Sequence, residues 1–127
     1  MHMTGTHLVV EISGCNPQIL GDAIQVRAAL LAAAHAARAH VLNVFVHQFQ
    51  PTGVTGIVAL EESHLSIHTW PERAYAAVDI YTCGNHPLPH IAATVLSQQL
   101  QAQHTHLREI RRGIEQQAGC YVSEVLN

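Results

Sequence analysis

Apolar positions along the chain recur with two periods, and the change between them marks the elements. Residues 7–13, HLVVEIS, form a short apolar run that predicts a strand. Gly14-Cys15 leads into Asn16-Pro17, a helix N-cap followed by proline at the first helical position. From there to about residue 40, Leu20, Ile24 (or Ala23), Arg27, Leu30/Leu31 and Ala34 fall at three- and four-residue steps, which predicts one long helix. Residues 41–49, VLNVFVHQF, are β-branched and aromatic and predict a strand. Pro51-Thr52-Gly53 turns the chain into a further apolar strand over 54–60.

Residues 62–70 alternate. Leu65, Ile67 and Thr69 share one face, while His64, Ser66, His68 and Trp70 share the other, with Ser63 at the strand's start. Pro71-Glu72 marks a turn, and residues 74–83 predict a strand that stops at Gly84. Pro87 and Pro89 open a second helix to about residue 103, with Ile91, Ala92, Val95, Leu96 and Leu100 on its buried stripe. Residues 105–110 predict a last strand, and the polar tail beyond Gly113 carries no assignment. The order β-α-β-β-β-β-α-β predicts an α+β fold: a two-layer α/β sandwich, its sheet largely antiparallel, with both helices on one face. At 127 residues the chain has the length of one domain.

Composition changes this picture in a few places. Only 12% of residues are charged, and the formal net charge is −3, which argues against a nucleic-acid or anionic-membrane partner. All six basic residues are arginine: Arg27, Arg38, Arg73, Arg108, Arg111 and Arg112. A chain without lysine cannot hold a carbonyl substrate or pyridoxal phosphate as a lysine imine, and it has no P-loop lysine. If imine chemistry occurs here, the protein must supply the carbonyl. Cys15, Cys83 and Cys120 are odd in number and widely spaced, against a disulfide framework or zinc ribbon. No run of about 18 apolar residues appears, and the N-terminus lacks the basic and apolar regions of a signal peptide, so the expected compartment is the cytoplasm.

The densest group of reactive side chains is EESHLSIHTWPE over residues 61–72, where two histidines and a tryptophan share a face without a long charged side chain. The stretch ESHLSIHTWPE, followed by Tyr75-Ala76-Ala77-Val78-Asp79 and Thr82-Cys83-Gly84, resembles the prokaryotic S-adenosylmethionine decarboxylases. Gly5, His7-Leu8, Glu11, Cys15, His47, Phe49, Pro51, Gly53-Val54 and Gly56 extend the resemblance upstream, so that it covers roughly residues 5–84.

The resemblance implies a proenzyme that cleaves itself between Glu62 and Ser63 into segments 1–62 (β) and 63–127 (α). The serine hydroxyl attacks the Glu62 carbonyl, an ester forms, and elimination leaves Ser63 as a pyruvoyl group, the only cofactor. A carbonyl made from serine meets the requirement set by the missing lysine. The resemblance further implies Thr55 as the hydroxyl donor during processing, where relatives commonly carry serine. His68 is implied as the base that removes the Ser63 α-proton, and Cys83 as the proton donor in decarboxylation. For substrate binding it implies Phe49 stacking on adenine, Glu72 accepting from the ribose hydroxyls, the Leu65 backbone on the base, and Glu11 in support. The implied activity is decarboxylation of S-adenosylmethionine for spermidine synthesis, in a homodimer whose two chains line each site.

Departures at Thr6, Gln48, Thr52, Arg73 and Asn85-His86 open an alternative, the same machinery acting on ornithine or arginine. A second alternative, of another class, follows from the eleven histidines. His64 with His68, His104 with His106, and His86 with His90 could contribute to a non-catalytic metal-binding module. No compact ligand spacing supports it, and the preferred reading places no metal.

Overall fold

The computed structural model describes residues 3–84 and 87–126. In chain order the elements are β1 (Gly5–Ser13), α1 (Pro17–Leu20), α2 (Ala23–Ala36), β2 (Val41–Gln48), β3 (Val54–Leu60), β4 (Ser63–Trp70), a 3-10 turn (Pro71–Arg73), β5 (Tyr75–Cys83), α3 (Pro89–Gln99), β6 (His104–Gln117) and β7 (Cys120–Val125). The strands form one sheet in the order β2-β3-β4-β5-β1-β6-β7, and every pairing is antiparallel. The α+β two-layer architecture expected from the sequence is the one found.

Two boundaries differ from the sequence expectation. The long helix after Asn16 is two helices, because the chain contains two N-caps. The Asn16 side chain accepts from the Gln18 N–H at 2.9 Å, and six residues later the Asp22 carboxylate accepts from Ile24 N–H at 2.9 Å. The Asp22 cap ties up the Ile24 N–H, a donor that a continuous helix would have bonded internally, so α1 ends at Leu20 and α2 starts afresh. Beyond Gly113, the unassigned tail continues β6 to Gln117 and returns as β7 through a turn in which Gly119 has φ +78°. Residues of this hairpin are mostly exposed on both sides, so no apolar alternation announced it.

The core is a single cluster. Leu8, Val10 and Ile12 of β1, Leu65 and Ile67 of β4, and Ala76, Val78 and Ile80 of β5 pack against Leu20, Val26, Leu30 and Ala33 of α1 and α2 and Ala92, Ala93 and Leu96 of α3. The small side chains of α2 let it lie close to the sheet. At Gly56 of β3 a Cβ would sit 2.6 Å from Leu30 Cδ1.

All three helices lie on that side. The opposite face of the sheet carries His7, Val9 and Glu11 of β1, Asp79 and Tyr81 of β5, His64, Ser66, His68 and Trp70 of β4, and Thr55 and Ile57 of β3. Phe45 and His47 of β2 stand opposite Ile57 and Thr55 on the same face. Among the described residues nothing covers it. Phe45, Ile57 and Trp70 are 58%, 44% and 43% exposed. No helix among the described residues is long and apolar enough to cross a membrane.

Candidate active site at the two ends of one strand

β3 and β4 are joined by the two-residue turn Glu61-Glu62, with Leu60 paired to Ser63. The Glu62 N–H reaches back to the Leu60 carbonyl at 2.9 Å, and this tight closure holds Glu62 at φ +151°. A side chain bearing a Cβ rarely occupies that region, at a cost of about 1–3 kcal/mol. The backbone immediately before Ser63 is therefore strained. The Glu62–Ser63 bond lines an open cavity of about 1050 Å³, whose walls include His35, Arg38 and His40 from the end of α2 and the following loop, with Cys83, Gly84 and Pro87. Cys83, the last residue of β5, is 6% exposed. Because His64 pairs with Tyr81, Ser63 and Cys83 stand at the same end of neighbouring strands.

The other expected groups gather at the opposite end of the sheet. Thr55 and His68 face each other across β3 and β4, and Thr55 Oγ1 lies 2.9 Å from His68 Nδ1. Phe49 follows β2 directly; its N–H bonds the Gly53 carbonyl at 2.8 Å and its ring packs edge-on to His47 at 4.6 Å. Glu72 is exposed in the 3-10 turn after β4. Glu11 lies on the bare face and accepts a hydrogen bond from the Tyr75 hydroxyl, whose ring stacks on Trp70 at 5.4 Å. That bond, helped by burial, pushes Tyr75 up to about 12. Leu65 is 1% exposed with its side chain in the core, so it offers a ligand only its backbone.

Five residues of extended chain separate Ser63 from His68. At about 3.3 Å per residue their Cα atoms are about 16 Å apart. Within one chain, then, the structure brings together Glu62, Ser63 and Cys83, and separately Thr55, His68, Phe49 and Glu72. It does not bring the first group to the second.

Between the two ends lies a polar patch that the sequence reading did not single out. His7 Nε2 is 2.9 Å from Asp79 Oδ1, and Ser66 Oγ donates to Asp79 Oδ2 at 3.4 Å. The rings of His7 and His64 each lie 5.7 Å from that of Tyr81, and the Arg112 guanidinium sits 4.8 Å above the Tyr81 ring. Burial, then the charge of His7, pulls His64 below the usual histidine range, against a smaller upward pull from Asp79. Alternation in β5 already put Asp79 and Tyr81 on one face. Placing His7, His64 and Arg112 beside them needed the pairing of β1 with β5 and β6, which local pattern does not specify.

Of the histidines considered for a metal site, His90 pairs with Glu109 at 2.9 Å, and His86 lies outside the described residues. Among the described residues no three His, Cys, Asp or Glu side chains converge as metal ligands.

A family model described as S-adenosylmethionine decarboxylase matches residues 6–113, more than four fifths of the chain. The chain belongs to the S-adenosylmethionine decarboxylase family. A protein of Thermococcus onnurineus named S-adenosylmethionine decarboxylase proenzyme is 44% identical over 126 residues, spanning 99% of this chain and 89% of that protein. A protein of the same name from Parasynechococcus marenigrum is 48% identical over 110 residues, spanning 87% and 86%. The crystal structure of the adenosylmethionine decarboxylase of Aquifex aeolicus superposes with a TM-score of 0.83 at 32% identity, covering 92% of this chain and 98% of that one. Family membership makes this chain a decarboxylase, and the match to residues 6–113 extends the likeness past residues 5–84 through α3 and most of β6.

Proposed function

We propose that this decarboxylase acts on S-adenosylmethionine, supplies aminopropyl groups for spermidine synthesis, and becomes active by cleaving itself between Glu62 and Ser63. We further propose that it works as a homodimer in which each site is completed by the second copy. The observation that carries this reading is the division of the site residues between the two ends of β4.

A second copy resolves that division. When two bare faces meet about a two-fold axis that lies between them and runs across the strands, strand direction reverses. The Thr55–His68 end of one copy is then laid over the Ser63–Cys83 end of the other. The same contact covers Phe45, Ile57 and Trp70, large apolar side chains that a lone chain leaves in water.

The residues at the cleavage turn suit self-processing. Strain at Glu62 raises the energy of the peptide bond that must break. Ser63 Oγ attacks the Glu62 carbonyl carbon, the C–N bond breaks, and an ester links Glu62 to the serine oxygen. The partner copy's Thr55 hydroxyl stabilises the oxyanion on the way, a contribution of about 3–4 kcal/mol where such donors have been removed. The partner copy's His68, held by its own Thr55, then takes the Ser63 α-proton, and the Glu62 carboxylate leaves. Water releases ammonia from residue 63, which ends as a ketone. That pyruvoyl group supplies an electron sink for a substrate amine. Around it, Cys83 holds the proton to be delivered, Phe49 offers a π face for a purine, and Glu72 accepts from a diol.

One departure noted in the sequence, Gln48, has a structural role that removes it as evidence for another substrate. Gln48 accepts from the Ala23 N–H at 3.1 Å and donates to the Gly53 carbonyl at 3.0 Å. It pins the start of α2 to the turn beside Phe49, so its departure from the family pattern does not by itself mark a new substrate.

Intact mass under denaturing conditions should show two segments divided at Glu62/Ser63, with Ser63→Ala remaining whole. A wild-type chain that never divides overturns self-processing. Carbon dioxide release from S-adenosylmethionine, ornithine and arginine in parallel tests the substrate, and preference for either amino acid overturns the assignment.

A further inference from the structure

Tyr81 stands two residues before Cys83 in β5, on the same side of the strand. Across the β1–β5 pairing Cys83 faces Gly5, and a Cβ at Gly5 would lie 2.7 Å from both the Tyr81 hydroxyl and its Cε1. The hydroxyl therefore occupies the space that glycine leaves open beside the Cys83 position. The ring cannot readily swing away. His7 and His64 pack around it, and Arg112 covers its face.

We propose that Tyr81 is a positioning residue for Cys83, its hydroxyl holding the thiol at the sheet end and stabilising the thiolate that remains after the proton has been delivered. This rests on the reading of Cys83 as the proton donor in decarboxylation. The chemistry supports the pairing. When Cys83 gives up its proton, an S–H bond breaks, a C–H bond forms on the substrate carbon, and a negative sulfur is left in a site with almost no water contact. A neutral O–H aimed at that sulfur replaces the missing solvation, and water later returns the proton to the thiol. Tyr81 is suited to stay neutral. Its hydrogen bond to Cys83, then burial and the charge of Cys83, raise it above the usual tyrosine range, against a smaller opposing pull from Arg112. The charged or titratable groups facing it are His7, His64, Arg112 and Cys83, with Asp79 behind His7.

Removing the hydroxyl leaves the sulfur without its donor and frees its side chain. Proton delivery to the substrate carbon then slows relative to delivery to the carbon derived from Ser63. That misplaced proton, followed by hydrolysis with water, releases the substrate skeleton as an aldehyde and leaves its nitrogen on residue 63, which becomes alanine.

Tyr81→Phe keeps the ring and its packing, so the fold is preserved. The first measurement avoids turnover altogether. In a Ser63→Ala, Cys120→Ser chain, alkylation of Cys83 by iodoacetamide is followed by mass spectrometry across pH; Cys15, pushed up to about 11 by burial, stays protonated over most of that range. Adding Tyr81→Phe should slow Cys83 alkylation about tenfold at fixed pH, as the sulfur loses its hydroxyl donor. An unchanged profile overturns the proposal. The second measurement uses the processed enzyme, where Tyr81→Phe should lower kcat about tenfold with KM unchanged. Sequential N-terminal degradation, blocked by a ketone, should then read alanine at residue 63 in a growing fraction of chains. Cys83→Ala calibrates the largest such fraction. If processed Cys83→Ala turns over like wild type, the proton-donor reading fails and the role of Tyr81 fails with it. If Cys83→Ala is impaired while Tyr81→Phe matches wild type, the role of Tyr81 alone is overturned.

Discussion

Co-expressing His68→Ala chains with Ser63→Ala chains separates a site built from two copies from a site built within one. Each variant alone should remain uncleaved, the first for want of a base and the second for want of a nucleophile. In a mixed dimer, the intact Ser63 of the His68→Ala chain meets the intact His68 of its partner. Random pairing of equal amounts makes half of the dimers mixed, so about half of the His68→Ala chains should be cleaved, and none of the Ser63→Ala chains. Within a single chain the expected yield is zero. His68 and Ser63 are about 16 Å apart along β4, whereas a base must come within about 3 Å of its proton, and β4 is hydrogen-bonded on both sides and cannot fold back. A mass tag on one chain distinguishes the two populations in a denaturing intact-mass measurement. Cleavage of His68→Ala chains expressed alone refutes the role of His68. Failure of the mixture to cleave, with mixed dimers present, refutes the trans arrangement.

Three further outcomes follow from packing and charge. Asp22→Ala removes the cap that restarts the chain as α2 and should lower the urea midpoint at neutral pH. Because the Gln25 side chain and the Ile24 N–H hold the Asp22 carboxylate below its usual range, that contribution is present above about pH 4 and fades as the pH falls through the lowered folded value. His64 behaves in the opposite chemical sense: burial favours its neutral form, so below about pH 6.5 the unfolded chain binds more protons and stability falls with pH. His64→Gln should flatten the stability profile in that window, and an unchanged slope assigns it elsewhere. Gly56→Ala drives a methyl into Leu30 and should cost about 1–3 kcal/mol, with Leu30→Val in the same chain recovering part of it; strict additivity of the two costs refutes the contact.

Legibility in the sequence followed local physics. The strands over 54–60 and 62–70 were readable because Leu65, Ile67 and Thr69 alternate cleanly against His64, Ser66 and His68, and a sheet buried on one face imposes that period. The break between α1 and α2 was harder. Alanine and leucine run through it, and a cap such as Asp22 is also a common exposed helix residue until its bond to Ile24 is seen. The part of the β6–β7 hairpin beyond Gly113 carried no pattern because neither of its faces is buried. The candidate site residues were named from the resemblance over 5–84, but their distribution was not. Nothing in a linear string says that Ser63 and His68, five residues apart, stand at opposite ends of a straight strand; only the strand's rise converts that spacing into distance.

The histidine excess takes a different meaning from the sheet. Six of the eleven, His7, His47, His64, His68, His104 and His106, lie on the bare face, where pairing sets them opposite Tyr81, Thr55, Tyr81, Thr55, Ser13 and Glu11. A face that meets a second copy of itself across a two-fold axis tolerates few long like charges, and the two on this face, Arg108 and Arg112, both lie on β6, toward the β7 edge of the sheet. Histidine satisfies that demand near neutrality: it is uncharged, half aromatic, and still able to donate or accept a hydrogen bond. The absence of lysine fits the same constraint, because a flexible ammonium on this face would have to be desolvated without an assured partner. On this reading the proton chemistry at His68 uses one member of a set whose commoner task is to keep a polar sheet face compatible with itself.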